Sequence, residues 1–276
     1  MFSQTAGVRP ERTNDAGRIP LLLAMDGAAV LETGSDFSDE HLLECIRSLL
    51  GPALRALRQP IKVRAGSGAH PRLDWGTRTV HIDNARRQGL HADGYGRYGA
   101  AYPDYVFLLC ERAAEVGGAS FVVDLVRLVD DLRLDRTNSE LTEFLWSEPL
   151  EQCSPEGVLW EAPVARTSAG GRRSVICNDK QTISDPTPAQ ARLLGEWKQR
   201  VAQAEQEAPR FLLGRGGLLC LDNYRVAHGR DPYEGDARLL HRVWTWTEAA
   251  FGVPDPDATD VAGAAQDLAD AHPQPT

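Results

Sequence analysis

The sequence predicts an α+β fold that is mainly β, an antiparallel double-sheet barrel with helices on its flanks. Two observations favour it. Short apolar segments bounded by Gly, Pro, Asp or Asn outnumber the helical patterns, and they do not alternate regularly with helices. Regular alternation would indicate a parallel, doubly wound sheet, whereas many short strands with a few helices are typical of a double-sheet barrel.

The elements are predicted from residue spacing and from the residues that typically bound helices and strands. Ser38 is suited to cap a helix in which apolar residues recur at helical spacing from Leu42 to Leu50. Two more helices are predicted at residues 137–146 and 188–207. Strands are predicted at residues 79–82, 105–110, 120–123, 174–177, 217–221 and 238–247.

We expect a single domain over residues 16–252, between two flexible ends. Residues 1–15 are polar with Pro and Gly, and residues 253–276 form an acidic tail rich in Pro, Ala and Asp. Both compositions are typical of terminal segments that do not pack. The length of 276 residues permits one large domain, and no internal repeat divides it.

The net charge of −9 argues against binding to nucleic acid or to an anionic membrane, both of which need a basic surface. Six of the acidic residues follow Arg242, after which there is no Lys or Arg, so most of the excess acidity lies near the carboxyl terminus. No apolar run reaches the length of a membrane span or has the layout of a signal peptide. We therefore expect a cytoplasmic protein whose partner is a small molecule.

The five cysteines do not indicate a disulfide framework or a thiolate metal site. They are widely spaced, odd in number and form no C-x-x-C pair. Two of them, Cys110 and Cys220, lie in apolar runs, where a cysteine usually serves as a small buried hydrophobic residue.

A histidine and an aspartate two residues apart, His91 and Asp93, suggest a metal site. Side chains two apart on a strand point to the same face, so the pair can share one ion. A distant histidine, His228, would complete two imidazoles and one carboxylate, the set found in non-haem Fe(II) oxygenases. The same trio could also hold zinc for hydrolysis, or the protein could be a non-catalytic barrel that binds a small acid.

The surroundings of these residues resemble a known family. The ordered elements are His91-x-Asp93, Tyr102-Pro103-Asp104-Tyr105-Val106, Gly117-Gly118-Ala119-Ser120, Asp222-Asn223-x-Arg225-x-x-His228 and Arg238-Leu239-Leu240-His241-Arg242. Together they are similar to the Fe(II)/2-oxoglutarate-dependent dioxygenases of the taurine dioxygenase and clavaminate synthase-like family, over about residues 77–247. The resemblance implies a double-stranded β-helix, or jelly roll.

The resemblance also implies roles for individual residues. The iron ligands would be His91, Asp93 and His228, and the cosubstrates 2-oxoglutarate and O2. Ser120 and Arg238 would bind the distal carboxylate of 2-oxoglutarate, which suits the forked guanidinium of arginine.

The implied reaction is hydroxylation of an unactivated C–H bond of an amino acid or natural-product intermediate, with release of succinate and CO2. Desaturation, epimerisation and ring closure remain open within the same family. Halogenation is not expected, because related halogenases have a small residue in place of the carboxylate that Asp93 provides.

Strand alternation adds one more expectation at the site. If Arg238 points into the barrel, Arg242 shares its face, and His241 points the other way and is not a ligand. In related enzymes the arginine at the Arg242 position assists 2-oxoglutarate or binds an acidic group of the substrate.

The Gly-rich aromatic stretch after Asp93 is predicted to form a lid at the barrel mouth. Its candidate substrate-binding residues are Tyr95, Arg97, Tyr98 and Tyr102. A structural turn whose tyrosines pack on the rim is the alternative.

Overall fold

The structure, a computed structural model, describes residues 6–34, 38–66, 72–74, 78–83, 85–154, 157–178 and 180–254. The helices are α1 (Ile19–Asp26), α2 (Asp39–Leu50), α3 (Tyr95–Tyr98), α4 (Leu125–Leu134), α5 (Ser139–Ser147) and α6 (Pro188–Glu207). The strands of the amino-terminal half are β1 (Gly7–Val8), β2 (Glu11–Thr13), β3 (Ala28–Glu32), β4 (Leu54–Leu57), β5 (Ile61–Gly66), β6 (Arg72–Asp74), β7 (Thr79–Asp83), β8 (Gln88–His91), β9 (Tyr105–Arg112), β10 (Val116–Gly117) and β11 (Ser120–Asp124). The remaining strands are β12 (Leu150–Ser154), β13 (Gly157–Ala162), β14 (Ala165–Thr167), β15 (Arg173–Val175), β16 (Gly217–Asp222), β17 (Val226–Arg230), β18 (Tyr233–Glu234) and β19 (Leu239–Thr247).

Two sheets make up the centre of the fold. The larger has the strand order β2-β3-β16-β9-β19-β5-β7-β6, with β4 also paired to β19. The smaller has the order β1-β11-β17-β8. The pairs are antiparallel except for β2 with β3 and β5 with β7. Mixed helices and sheets are thus confirmed, but no sheet among the described residues closes into the predicted barrel.

The two sheets enclose an apolar layer and carry helices on their outer faces. Val122 and Val226 of the smaller sheet pack with Val30, Val106 and other residues of the larger sheet. The outer face of the smaller sheet packs against α4, α5 and α6, and the outer face of the larger sheet packs against α1 and α2. The fold therefore has four layers, in the order helices, sheet, sheet, helices. This order buries both faces of each sheet.

The helices begin where the sequence provides capping side chains. The Ser38 side chain accepts a hydrogen bond from the His41 amide at 3.2 Å, as predicted for α2. At the start of α6, Thr187 and Gln190 form a reciprocal capping box, and the helix has the predicted bounds. α4 was not predicted, although Asp124 caps it by accepting a hydrogen bond from the Arg127 amide at 2.9 Å.

The amino-terminal segment predicted to be flexible contains two short strands among the residues that the structure describes. β1 pairs with β11, with Gly7 opposite Val123, and β2 pairs with β3. These short segments lie at sheet edges, where ladder hydrogen bonds compensate for their polar composition. Of the predicted acidic tail, residues 255–276 lie outside the described part of the chain.

None of the helices in the described ranges combines the length and apolar character needed to cross a membrane.

Substitution of Trp197 by alanine is expected to destabilise the fold. Trp197 is 1% exposed and joins α6 to the core beneath the smaller sheet. The truncation removes that packing and leaves a cavity, so the free energy of unfolding should fall by about 3–5 kcal/mol. Chemical denaturation measures it. Gln199→Ala, an exposed neighbour on the same helix, is the control and should change stability by less than about 0.5 kcal/mol.

Candidate metal centre

The register of the smaller sheet brings two distant histidines together. On β17, His228 lies opposite Val122 of β11 and opposite His91 of β8. Because Val122 packs in the layer between the sheets, His228 faces that layer too. The ring centroids of His91 and His228 are 4.4 Å apart. Strand pairing therefore places both imidazoles at one point between the sheets.

Asp93 reaches the same point from a turn, and the prediction that it shares a strand with His91 is wrong. β8 ends at His91, and Asp93 lies in the turn that leads into α3. Gly94 has a φ of 77°, and a side chain there would meet Pro103 at 2.6 Å. The chain can therefore turn sharply after Asp93 only with glycine at this position.

The backbone of this turn is held by Asn223, which is 1% exposed. Its side-chain oxygen accepts a hydrogen bond from the Asp93 amide at 2.8 Å. Its amide nitrogen donates to the carbonyls of Asp93 at 3.0 Å and Pro103 at 2.7 Å. One buried side chain thus satisfies three backbone groups and positions the carboxylate.

Together His91, Asp93 and His228 form a possible metal site, with one ligand atom of each within 4.8 Å of the others. Burial by itself would raise the pKa of Asp93, but Arg242, His228 and His91 hold that pKa below its usual value. Burial lowers the pKa of His228 to about 3, with His91 and Arg242 adding to the effect and Asp93 opposing it. The carboxylate is therefore ionised and His228 neutral, which are the forms that bind metals.

The hydrogen bonding of the two imidazoles also fits a metal. Nδ1 of His91 donates to the Gly89 carbonyl at 3.1 Å, so in the neutral ring the lone pair lies on Nε2. The side-chain nitrogen of Gln88 lies 3.3 Å from this Nε2. Nδ1 of His228 is buried and makes no hydrogen bond to any described residue. Two neutral imidazoles and one carboxylate are the ligands of non-haem Fe(II) centres, and this set fits Fe(II).

Arg242 lies on the inward face of β19, as strand alternation predicted. Its Nη1 donates to Oδ1 of Asp93 at 3.1 Å, and its guanidinium lies 4.4 Å from the centre of the Trp244 ring. His241 points to the opposite face, where its ring nitrogens contact Asp39 and Glu111 at 2.7 Å. The expectation that His241 is not a ligand is consistent with this placement.

Ser120 and Arg238 lie near the same inward surface. Ser120 is buried on β11, opposite Arg230, and has the same orientation along the strand as Val122. Arg238 is buried just before β19, and burial lowers its pKa, an effect that Tyr233 opposes. No described carboxylate forms an ion pair with Arg238, so this buried cation lacks an anionic partner. Such a group fits the distal carboxylate of 2-oxoglutarate.

The stretch predicted as a lid is folded into α3 and a short 3-10 turn. Tyr102 is fully buried, and its hydroxyl is hydrogen-bonded to Ser174, so this predicted substrate-binding residue packs inside the protein. Tyr98 packs edge-on against Trp244 and Trp246, and Arg97 lies over the Tyr98 ring.

Among the four candidates, Tyr95 is the one that lines the cavity of about 530 Å³ beside His91. A repeated Gly and Tyr pattern could not distinguish this tyrosine from those that pack inside the protein.

Asn223 and Arg225 belong to the motif that contains His228, but the sequence did not indicate what they do. Arg225 donates to Asp124 through Nε at 2.8 Å and Nη2 at 2.5 Å, and to the carbonyls of Ala24 and Met25 at 2.6 Å. It thereby joins the turn before β17 to the start of α4 and the end of α1. Their position after the predicted strand 217–221 and before His228 was the feature of the sequence that could have indicated this role.

The fold and the site define a class, the non-haem metal enzymes whose ion is held by two histidines and one carboxylate. Comparison with known proteins gives the family. Residues 7–244 match the family described as taurine catabolism dioxygenase TauD, TfdA family. The chain belongs to this family and is a 2-oxoglutarate-dependent non-haem iron dioxygenase, with Fe(II), 2-oxoglutarate and O2 as its cofactor and cosubstrates.

Solved structures show the same fold at low sequence identity. A taurine dioxygenase from Burkholderia xenovorans is 17% identical, with a TM-score of 0.59, and the match covers 90% of this chain and 86% of that one. An asparagine oxygenase in complex with Fe(II), 2S,3S-3-hydroxyasparagine and succinate is 19% identical, with a TM-score of 0.57 and coverages of 85% and 78%. PvcB, an Fe, alpha-ketoglutarate dependent oxygenase from an isonitrile synthetic pathway, is 17% identical, with a TM-score of 0.57 and coverages of 88% and 85%.

His228→Ala should abolish retention of iron, because one of three ligands is lost from a buried site. The measurement is iron per chain after anaerobic loading with Fe(II) and gel filtration. His41→Ala, an exposed histidine on α2, should retain iron like the wild type. Equal iron content in both variants would contradict the assignment of His228.

Asn223→Ala should weaken iron binding even though Asn223 is not a ligand. Loss of its three hydrogen bonds frees the turn that carries Asp93, and loss of such a supporting group typically costs about 10–100-fold in metal affinity. Competition with a chelator measures the affinity, and thermal unfolding checks that the variant folds. The exposed Asn14→Ala serves as the control. An unchanged affinity in a folded Asn223→Ala variant would refute the role.

Proposed function

We propose that the protein hydroxylates an unactivated C–H bond of a small molecule at iron held by His91, Asp93 and His228. The observation that carries this proposal is the convergence of these three side chains, of which Asp93 and His228 are buried and in the forms that bind metal. When bound, iron and 2-oxoglutarate supply the oxidising chemistry with O2, and 2-oxoglutarate is converted to succinate and CO2. The protein residues bind, orient and exclude water.

In this proposal Ser120 and Arg238 hold the distal carboxylate of 2-oxoglutarate. Arg238 offers a charged, forked donor, and its buried guanidinium gains the anion that it lacks among the described residues. Arg242 orients Asp93 through the 3.1 Å contact. A role of Arg242 toward an acidic group of the cosubstrate or substrate, as in related enzymes, is compatible with this contact, because a guanidinium carries five N–H groups.

We place the substrate in the cavity beside His91. Its volume of about 530 Å³ is in the range of small-molecule pockets. It lies between β8, Tyr95 and α6, with Leu90 and Trp197 among its apolar walls and Gln181 among its polar ones. The hydroxyasparagine named in the asparagine oxygenase structure supports an amino acid or a compound of similar size.

The finer features of the fold and reaction belong to the same proposal. The two facing sheets, with mostly antiparallel strands, support the jelly-roll, or double-stranded β-helix, arrangement. Desaturation, epimerisation or ring closure would use the same residues and differ in how the substrate lies against the iron. Zinc-dependent hydrolysis would leave the buried Arg238 without a purpose, and non-catalytic acid binding does not accord with membership of a dioxygenase family.

The decisive experiment is formation of succinate from 2-oxoglutarate by the full chain loaded with Fe(II) in the presence of O2. Slow turnover without substrate should release succinate, and omission of O2 or replacement of Fe(II) by Zn(II) should stop it. A protein that binds iron and 2-oxoglutarate yet forms no succinate, with or without candidate amino acids, would contradict the proposal.

Arg238→Ala tests the cosubstrate site within the same assay. The KM for 2-oxoglutarate should rise roughly 10- to 100-fold, the effect of losing a hydrogen-bonded charge partner. Iron content should stay that of the wild type. Arg192→Ala, an arginine of α6 with a 54% exposed side chain, is the matched control. Unchanged kinetics of Arg238→Ala would refute its assignment.

A further inference from the structure

Tyr233 occupies a buried position close to the proposed cosubstrate site. It lies on β18, opposite Gly117 of β10, and is 3% exposed. Its Cβ lies 3.2 Å from the position that a Cβ atom at residue 118 would occupy. The glycines at 117 and 118 therefore allow the tyrosine to pack directly against the backbone that leads to Ser120.

Two buried arginines flank the Tyr233 ring. The guanidinium carbons of Arg230 and Arg238 lie 4.6 and 5.2 Å from the ring centre. Arg230 is also the residue that faces Ser120 across the β11–β17 ladder. The electron-rich faces of an aromatic ring favour such cations. Tyr233 thus joins the positions of Ser120 and Arg238, the two residues expected at the distal carboxylate.

The hydroxyl of Tyr233 is not needed for this packing. It is buried and donates no hydrogen bond to any residue in the described ranges, although the Arg238 guanidinium can donate one to its oxygen. The neighbouring guanidiniums have N–H donors and no acceptor, so neither can receive the phenolic hydrogen. A buried donor without an acceptor is costly, and native proteins rarely keep one unless a ligand or water completes it. Phenylalanine would provide the same ring without this cost.

We propose that the Tyr233 hydroxyl donates a hydrogen bond to the distal carboxylate of 2-oxoglutarate, as a third recognition group beside Ser120 and Arg238. The carboxylate supplies the acceptor that the arginines cannot supply, and its two oxygens have room for several donors. Tyr233 is then a residue that determines selectivity for a dicarboxylate over a monocarboxylate 2-oxo acid. The inference depends on the proposed placement of that carboxylate at Arg238.

The test compares Tyr233→Phe with the wild type in the full chain loaded with Fe(II) under anaerobic conditions. Isothermal titration measures the Kd of 2-oxoglutarate, and 2-oxopentanoate, in which a methyl group replaces the distal carboxylate, is the second probe. The Kd of 2-oxoglutarate should rise about tenfold or more, the effect of a lost hydrogen bond to a charged group. The Kd of 2-oxopentanoate should stay within about twofold.

A matched control is Tyr105→Phe, because Tyr105 also stacks with an arginine, Arg172, at 4.4 Å. It should leave both dissociation constants unchanged. The Tm of Tyr233→Phe without ligand should change little, because without ligand the hydroxyl has no acceptor for its hydrogen among the described residues and receives at most one hydrogen bond, from Arg238. A lower Tm together with equal weakening of both probes would indicate a packing role and overturn the inference.

The outcomes separate this inference from the proposed function. If the wild type does not bind 2-oxoglutarate, the proposed cosubstrate site is wrong. If the wild type binds it and Tyr233→Phe binds it equally well, the proposed function stands and the role of Tyr233 is wrong. A selective loss of 2-oxoglutarate binding supports both.

Discussion

The register between β17 and β8 is the constraint on which the metal centre depends. A shift of one residue would turn His228 to the outer face of the smaller sheet, where Phe121 and Val123 pack against helices. Gly229 helps to fix this register, because a side chain there would lie 2.3 Å from the Phe121 ring. The glycine between His228 and Arg230 therefore lets the helices pack on one face while the histidine occupies the other.

Charge balance places a second constraint on the same point. A carboxylate in a buried layer is tolerated only with charged or hydrogen-bonding partners. Asp93 has Arg242 at its side chain and Asn223 at its backbone. Arg242 is in turn placed by β19, whose other inward residues, Trp244 and Trp246, pack between the sheets. The larger sheet thus supplies the countercharge for a ligand carried by the smaller one.

The sequence could predict what depends on periodicity and on ordered motifs. The three expected ligands come from the resemblance to the family, whereas the inward Arg242 and the outward His241 follow from the alternation of side chains along a strand. The contact of Arg242 with Asp93 could not be predicted, because it depends on how two strands from different sheets approach each other. The burial of Tyr102 was also missed, since its partner Ser174 lies 72 positions away. The pairing of β1 with β11 was missed for the same reason.

The turn at residues 223–225 explains why Asn223 and Arg225 occur close to His228 in one motif. The turn precedes β17, so the anchoring of Arg225 to Asp124 fixes where the strand that carries His228 begins. Two residues earlier in the turn, Asn223 holds the backbone of Asp93. A single turn therefore sets the positions of ligands from two separate segments. Movement of this turn would displace both proposed ligands at once, so the precision of the proposed centre depends on residues outside the ligand set.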